Sequence, residues 1–318
     1  MIKILIVKPS SLGDILHALQ VVETIRQRMG TKNVEITWIV REIFESLVAA
    51  TETVQRTIVY NRKEGVLGVW RLGMRLRKEK FDIVIDMQGL ARSGFWTLCA
   101  NAPRKLGRGD AREGARFCVK ELTGAPAAGF KHAHAVDILS QFLPLFGFST
   151  ELLGGVKFSG AKLSSTIDEK LRSREPILLF PDSRRAEKEW PYFVELTRLL
   201  LVAFPQNVIC WVGQSALVPA EDFVRDERFL NLMGQTKLLD VPALIARAKF
   251  CVTNDSGPMH IAAAMKVPVL GIFGPTSPEL YGPFPLTRPT NHVLVAPEND
   301  LKKLPATEVA DNCKKFFV

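Results

Sequence analysis

The sequence predicts an α/β protein made of two doubly wound parallel domains in tandem, and three observations predict it. Short apolar runs alternate with longer stretches of helical period, the pattern of βαβ units on a parallel sheet. The chain has 318 residues, long for one domain and enough for two of roughly 150. The alternation also breaks once, around 148–175, where periodicity fades and Gly and Ser accumulate before the pattern resumes. The expected domains are therefore 1–155 and 173–300, with a tail over 301–318.

Each element follows from its local pattern. "IKILIV" is too short and too soon polar for a signal peptide and reads as a first strand, in a cytoplasmic protein. A helix over about 15–29, the strand "VEITWIV", a helix near 41–50, the strand "RTIVY", a helix near 64–79 and the strand "FDIVIDM" complete the first series. The second runs "PILLFP", a helix over about 191–204, "NVICWVG", a helix near 238–248, "KFCVTND", a helix over 257–265 and "VPVLGIFG". A last helical pattern spans about 307–317. In open α/β sheets ligands lie beyond the carboxyl ends of the strands, so the informative residues are expected just after strands, in a cleft between the two domains that closes on its ligands.

Composition narrows the class. Apolar residues make up 47% and charged residues 24%, and no run is long enough to span a bilayer. Five scattered cysteines without C-x-x-C spacing suggest buried free thiols, not disulfides or zinc. The net charge of +9 is concentrated in residues 1–150, with 22 basic against 14 acidic residues. Such a surface suits nucleic acid, an anionic membrane or an anionic substrate, and charge alone does not choose.

Four stretches lie directly after strands. In "VKPSSLGDIL", Lys8 ends the strand and Ser11 to Asp14 fits a capping box, while Gly13 clears space for a ligand; capping and catalysis both account for Asp14. In "TNDSGPMHIAAAM", Asp255, Ser256 and Gly257 open a helix whose free N–H groups suit phosphate, with His260 one turn in; ordinary capping and a buried histidine are the competing reading. In "PDSRRAEKEWP", Ser183 and Lys188 stand out, and a lysine there can hold a diphosphate without a metal; a solvated charged loop is the alternative. In "FGPTSPELYGP", Thr276 is either a phosphate donor or part of a turn. No G-x-G-x-x-G or G-x-x-x-x-G-K-[ST] pattern is present, so a nicotinamide dehydrogenase or P-loop ATPase has no support.

Together "KPSSLGDILHA", "DMQGLARS", "KEWP", "TNDSGPMHIAAAM" and "FGPTSP" resemble glycosyltransferase family 9, the ADP-heptose:lipopolysaccharide heptosyltransferases, in order from Met1 to about Pro285. The resemblance implies a GT-B fold, two Rossmann-like domains facing across a cleft, with a C-terminal helix crossing back to the first domain. It implies Asp14 as general base, Lys188 as the cation that neutralises the donor diphosphate, and Ser183, Asp255, Ser256, Gly257, His260 and Thr276 as donor contacts. Lys8, Ser10, Ser11, Gly13, Gln88, Arg62, Arg92 and Arg112 become candidate acceptor contacts, with Lys63, Arg104, Lys105, Arg108 and Arg116 as further basic candidates. It implies an inverting transfer from ADP-heptose to an anionic inner-core glycolipid, with no metal cofactor and no nucleic-acid partner. Peripheral contact with the inner membrane would use basic residues and aromatics such as Trp70 and Trp96. His134, in "KHAHAVD", matches a family stretch but has an equally good structural reading.

The pattern departs from the family where an acidic residue often holds the nucleotide ribose. Leu217 stands at that spacing, with Glu221 and Asp222 later, which leaves the nucleotide open. "SSLGDILHA" is like the first heptosyltransferase type and "TNDSGPMHIAAAM" like the second, so the acceptor position stays open too. The competing functions are a related GT-B enzyme with another sugar nucleotide, an epimerase included, and a noncatalytic binder of anionic glycan or nucleic acid.

Overall fold

The computed structural model describes residues 1–172, 174–216 and 225–317. It divides into two compact units, Met1–Gly160 and Ala161–Val318. The first contains β1 (Ile2–Val7), α1 (Leu12–Arg28), β2 (Val34–Arg41), α2 (Glu45–Ala49), β3 (Arg56–Tyr60), α3 (Gly65–Leu76), β4 (Ile83–Asp86), α4 (Ala91–Cys99), β5 (Arg104–Gly107), β6 (Glu121–Leu122), α5 (Gly129–His132) and α6 (Ala135–Ser140). The second contains α7 (Ser165–Leu171), β7 (Pro176–Phe180), α8 (Phe193–Ala203), β8 (Val208–Trp211), β9 (Phe229–Asn231), α9 (Asp240–Ile245), β10 (Phe250–Asn254), α10 (Gly257–Met265), β11 (Val269–Phe273), α11 (Pro278–Tyr281), β12 (Asn291–Val295) and α12 (Ala306–Phe317).

Each unit carries a six-stranded parallel sheet, in the orders β3-β2-β1-β4-β5-β6 and β12-β11-β10-β7-β8-β9. Numbered within its own unit, each has the 3-2-1-4-5-6 order of a doubly wound, Rossmann-like sheet. The strand order reverses between β1 and β4 in one sheet and between β7 and β10 in the other. Central strands are apolar throughout because helices cover both faces: Ile4 to Val7 and Ile177 to Leu179 are fully buried.

Burial also explains α1, which is inaccessible from Ile15 to Ile25 despite four polar residues in that span. Glu23 and Thr24 are satisfied internally. Glu23 accepts from Thr53 Oγ1 at 2.8 Å, Gln27 Nε2 at 2.7 Å and Arg26 Nε at 3.0 Å, and Thr24 Oγ1 donates to the Gln20 carbonyl at 3.0 Å.

The division between the units, at Gly160 and Ala161, falls inside the Gly/Ser-rich segment 148–175, whose first half is pinned to the first unit. Leu153 N–H donates to Thr24 Oγ1 at 3.2 Å, Glu52 N–H to the Lys157 carbonyl at 3.0 Å and Gly160 N–H to the Ala50 carbonyl at 3.0 Å. The second unit starts earlier than 173, since α7 buries Ile167 and Leu171 and Ser164 N–H donates to Asp240 at 3.2 Å. The last helix completes the core of the second unit. Ala306, Val309, Ala310 and Cys313 of α12 join that core, and the Phe317 ring stacks on Phe250 at 4.3 Å. An apolar stripe with period near four needs a complementary face, and α8 provides it.

Candidate active site

Sequence-predicted residues gather at the two points where strand order reverses, each described within its own unit. In the first unit the loop after β1 carries Lys8 to Asp14, and the loop after the adjacent β4 carries Asp86 to Leu90; Val7 and Asp86 are register partners. Ser11 ends the loop by donating both its N–H, at 3.0 Å, and its hydroxyl, at 2.9 Å, to Asp14 Oδ2. The capping reading of Asp14 is therefore correct, and it does not compete with a chemical one. Asp14 remains 42% exposed while Lys8, 2% exposed, places its ammonium 3.9 Å away. Burial pushes the Asp14 carboxyl up, but Lys8, the two Ser11 donors and Arg108 outweigh it and hold the group below the ordinary carboxylate range. The result is an ionised, accessible carboxylate at a helix start.

Lys8, a candidate acceptor contact, is buried. Its stem lies inside the strand ends and its charge faces Asp14, so it acts on the carboxylate and not on bulk solvent. Burial lowers its own pKa most strongly, Asp14, Asp86 and Asp110 push it up and Arg108 lowers it further. Asp86, which sequence reasoning missed although it ends the apolar run "IVID" as a carboxylate, is 1% exposed. It accepts from Gln88 N–H, Gly89 N–H and Ser93 Oγ, each at 2.9 Å, while burial drives its pKa up. This carboxylate shapes the β4 loop. Gly89 adopts φ +70° there, and a Cβ would come within 3.3 Å of the Ala111 backbone, so the loop requires glycine.

Other acceptor candidates divide by strand end. Gln88 buries its Oε1 without a hydrogen-bond partner, and Ser10 and Gly13 are half-buried. Arg62, Arg92 and Arg112 follow β3, β4 and β5 and are exposed at the carboxyl edge, with Arg92 donating to the Tyr60 hydroxyl at 2.8 Å. Arg108 is locked to Asp110 through two hydrogen bonds at 2.8 and 2.6 Å. Arg104 and Lys105 do not belong with them. They sit within β5 itself, where Arg104 pairs with Glu121 at 2.8 and 2.7 Å and Lys105 donates to the Leu98 carbonyl. His134 proves structural, capping α6 by accepting from Val136 N–H at 3.1 Å with its ring 5.1 Å from that of His17. Sequence reasoning also missed Arg41, which ends β2 and buries its Nε without a hydrogen-bond partner.

In the second unit the loops after β7 and β10 meet in the same way. Lys188 Nζ lies 2.5 Å from Asp255 Oδ2, with the two side chains 14% and 7% exposed. Thr276 donates its hydroxyl to the same oxygen at 2.7 Å, so the expected phosphate donor is turned onto a carboxylate. Ser256 precedes α10 as its N-cap, and its buried Oγ has no hydrogen-bond partner. Gly257 opens that helix and His260 lies one turn in, half-buried. Ser183 is half-buried, with its N–H donating to Glu189 at 2.9 Å. Asp182, also missed, accepts from Gln214 N–H at 2.8 Å and Ser215 N–H at 3.1 Å and so ties the β7 loop to the β8 loop. Leu217, Glu221 and Asp222 lie outside the described residues. Among the described residues no three His, Cys, Asp or Glu side chains gather as a metal site would require.

The arrangement therefore offers an ionised carboxylate in one unit and, in the other, a lysine beside a helix N-terminus. The model of glycosyltransferase family 9 (heptosyltransferase) matches residues 69–314. This chain belongs to that family. It is 28% identical over 316 residues to the lipopolysaccharide core heptosyltransferase OpsX of Haemophilus influenzae, covering 96% of this chain and 88% of that protein. It is 26% identical to lipopolysaccharide heptosyltransferase 1 of Escherichia coli, covering 96% and 95%. Among solved structures, E. coli heptosyltransferase WaaC with ADP superposes with a TM-score of 0.79 at 26% identity, over 99% of both chains. The same enzyme with ADP-2-deoxy-2-fluoro heptose gives 0.77 at 25% identity, again over 99% of both. The fold is thus the GT-B fold of the heptosyltransferases, and this family 9 member is a glycosyltransferase of lipopolysaccharide synthesis. No helix among its described residues is long and apolar enough to cross a membrane.

Proposed function

We propose that this enzyme transfers a heptose from ADP-heptose to an anionic inner-core lipopolysaccharide acceptor, Kdo-lipid A or its heptosylated product, with inversion at the anomeric carbon. The observation that carries the reading is Asp14, accessible yet held ionised by Lys8 and Ser11. As the acceptor hydroxyl attacks, Asp14 takes its proton, the new C–O bond forms on one face of an oxocarbenium-like centre, and the bond to the diphosphate breaks on the other. One displacement inverts the centre. Lys188 and the N–H groups at the start of α10 meet the charge growing on the leaving ADP, in place of a metal. Asp255 fixes Lys188 and leaves two of its ammonium protons for phosphate oxygens. Ser183, His260 and the unpartnered Ser256 hydroxyl complete the donor contacts.

On the acceptor side Ser10, Gln88, Arg62, Arg92 and Arg112 supply polar and cationic groups for sugar carboxylates and lipid phosphates. Lys8, Ser11 and Thr276 act through the carboxylates they hold. The enzyme works in the cytoplasm at the inner membrane, which it touches peripherally, and nucleic acid is not its partner. WaaC solved with ADP and with an ADP-heptose analogue supports the donor.

Thermal stabilisation by ADP, UDP, GDP and TDP tests the donor. A ligand at a hundred times its dissociation constant adds about 2.7 kcal/mol. Selective stabilisation by ADP, weakened in Lys188→Ala, and loss of transfer in Asp14→Ala with nucleotide binding intact are the expected results. Preference for another nucleotide would move the donor to a different sugar nucleotide.

A further inference from the structure

The first unit exposes an apolar face that the reaction does not use. On α3, Val66 is 84% exposed, Leu67 71% and Trp70 57%. At helical spacing Val66, Trp70 and the half-buried Met74 form one outward row with Leu67 beside it, while Leu72 and Leu76 face the core. A contiguous row of this kind marks an interaction surface more often than a solvated one. Its border is basic: residues 62–80 contain seven Lys or Arg and two Glu. Both glutamates are already engaged, Glu64 by Arg71 at 2.6 Å and Glu79 by Arg75 at 3.2 Å and by Arg56. Among the described residues no ion pair involves Arg62, Lys63, Arg77 or Lys78.

We propose that the outward face of α3 docks on an anionic bilayer, with Val66, Leu67 and Trp70 entering the interfacial region and Arg62, Lys63, Arg77 and Lys78 meeting lipid phosphates. Apolar side chains framed by cations suit that surface and no other occupant as well. A second copy of the chain would bring two basic borders together, and a nucleic acid would leave the apolar row uncovered. The placement also serves the site. Arg62 and Lys63 follow β3 at the same carboxyl edge as Asp14, two strands or about 10 Å along the sheet. Docking there sets the helix start against the leaflet that holds a glycolipid acceptor, and in this sense the inference rests on the acceptor reading above.

Co-sedimentation of the full chain with vesicles tests it, using phosphatidylethanolamine–phosphatidylglycerol against pure phosphatidylcholine. The native chain should partition onto the anionic vesicles, and Val66→Ser/Leu67→Ser/Trp70→Ser should lose about tenfold or more of that binding. Arg77→Gln/Lys78→Gln should lose a comparable factor, about fivefold per charge, and only on anionic vesicles. Equal melting temperatures would show that both variants fold. Native protein that ignores anionic vesicles, or triple-variant binding equal to native, overturns the proposal. So does Trp70-dependent self-association or Trp70-independent nucleic-acid binding without vesicle binding. Turnover of a delipidated acceptor should be the same in the triple variant. Vesicle binding without heptose transfer would leave the docking face standing and fail only the proposed reaction.

Discussion

Replacing Lys8 by methionine isolates what the buried ammonium does for Asp14. The two charges lie 3.9 Å apart, a separation worth about 1 kcal/mol in water and about 4 kcal/mol at an effective dielectric of 20. Asp14 is 42% exposed, which places the interaction toward the lower figure. With Lys8 gone, burial dominates the carboxyl and its pKa rises, so the acid limb of kcat/KM moves to higher pH. Below that limb a loss of about 1 kcal/mol is roughly a fivefold fall in rate, while the rate above it is unchanged. Stability should move the other way. Burial depresses the Lys8 pKa below its ordinary 10.5, so the folded state is penalised below that value and relieved as pH climbs toward it. Lys8→Met removes the penalty and keeps the volume, so the melting temperature should hold or rise. The assay is heptose transfer across about pH 3–7, a window that brackets the ordinary carboxylate range, beside thermal melting. An acid limb that stays in place, or a loss uniform at all pH values, would refute the argument.

Two further outcomes follow from the second unit and from the thiols. Lys188→Met should cost about 3 kcal/mol by leaving Asp255 buried with only the Thr276 hydroxyl, and pairing it with Asp255→Asn should recover part of that. Urea unfolding of the cycle checks this, and additivity within about 0.5 kcal/mol would contradict it. Burial pushes Cys210 and Cys313 from 9.0 up to about 12, and Cys251 is raised as well. Unfolded thiols ionise near 9 while these stay protonated, so stability is lost as pH rises from 9 toward 12. In the native protein only the half-buried Cys99 and Cys118 should react with a disulfide reagent, the other three requiring denaturant.

The elements legible in the sequence are those with long apolar runs. β1, β4, β7 and β10 announce themselves because helices bury both faces, and α10 falls on its expected residues because Ser256 and Pro258 mark its start. The strands that escaped notice are β5, β6, β9 and β12, of four, two, three and five residues, and all but β5 are sheet edges, which carry little pattern. The last helix was legible, but its docking partner was not. An amphipathic stripe states that a face must be covered and does not say by what.

The site divides the same way. Local sequence determined that Asp14, Lys188 and Ser256 stand just after strands, because βα connections are continuous in the chain and loop chemistry is set by neighbouring residues. It could not show that Lys8 turns inward to Asp14, that Thr276 spends its hydroxyl on Asp255, or that Asp86 organises the β4 loop. Nor could it show that Trp96 is fully buried while Trp70 is not. Those are side-chain contacts with groups 2 to 21 positions away, or burial by distant elements. The order of residues along the chain sets which groups arrive at the carboxyl edge of each sheet. Packing sets which of them are neutralised, shielded or left exposed, because distance and burial govern the strength of a charge.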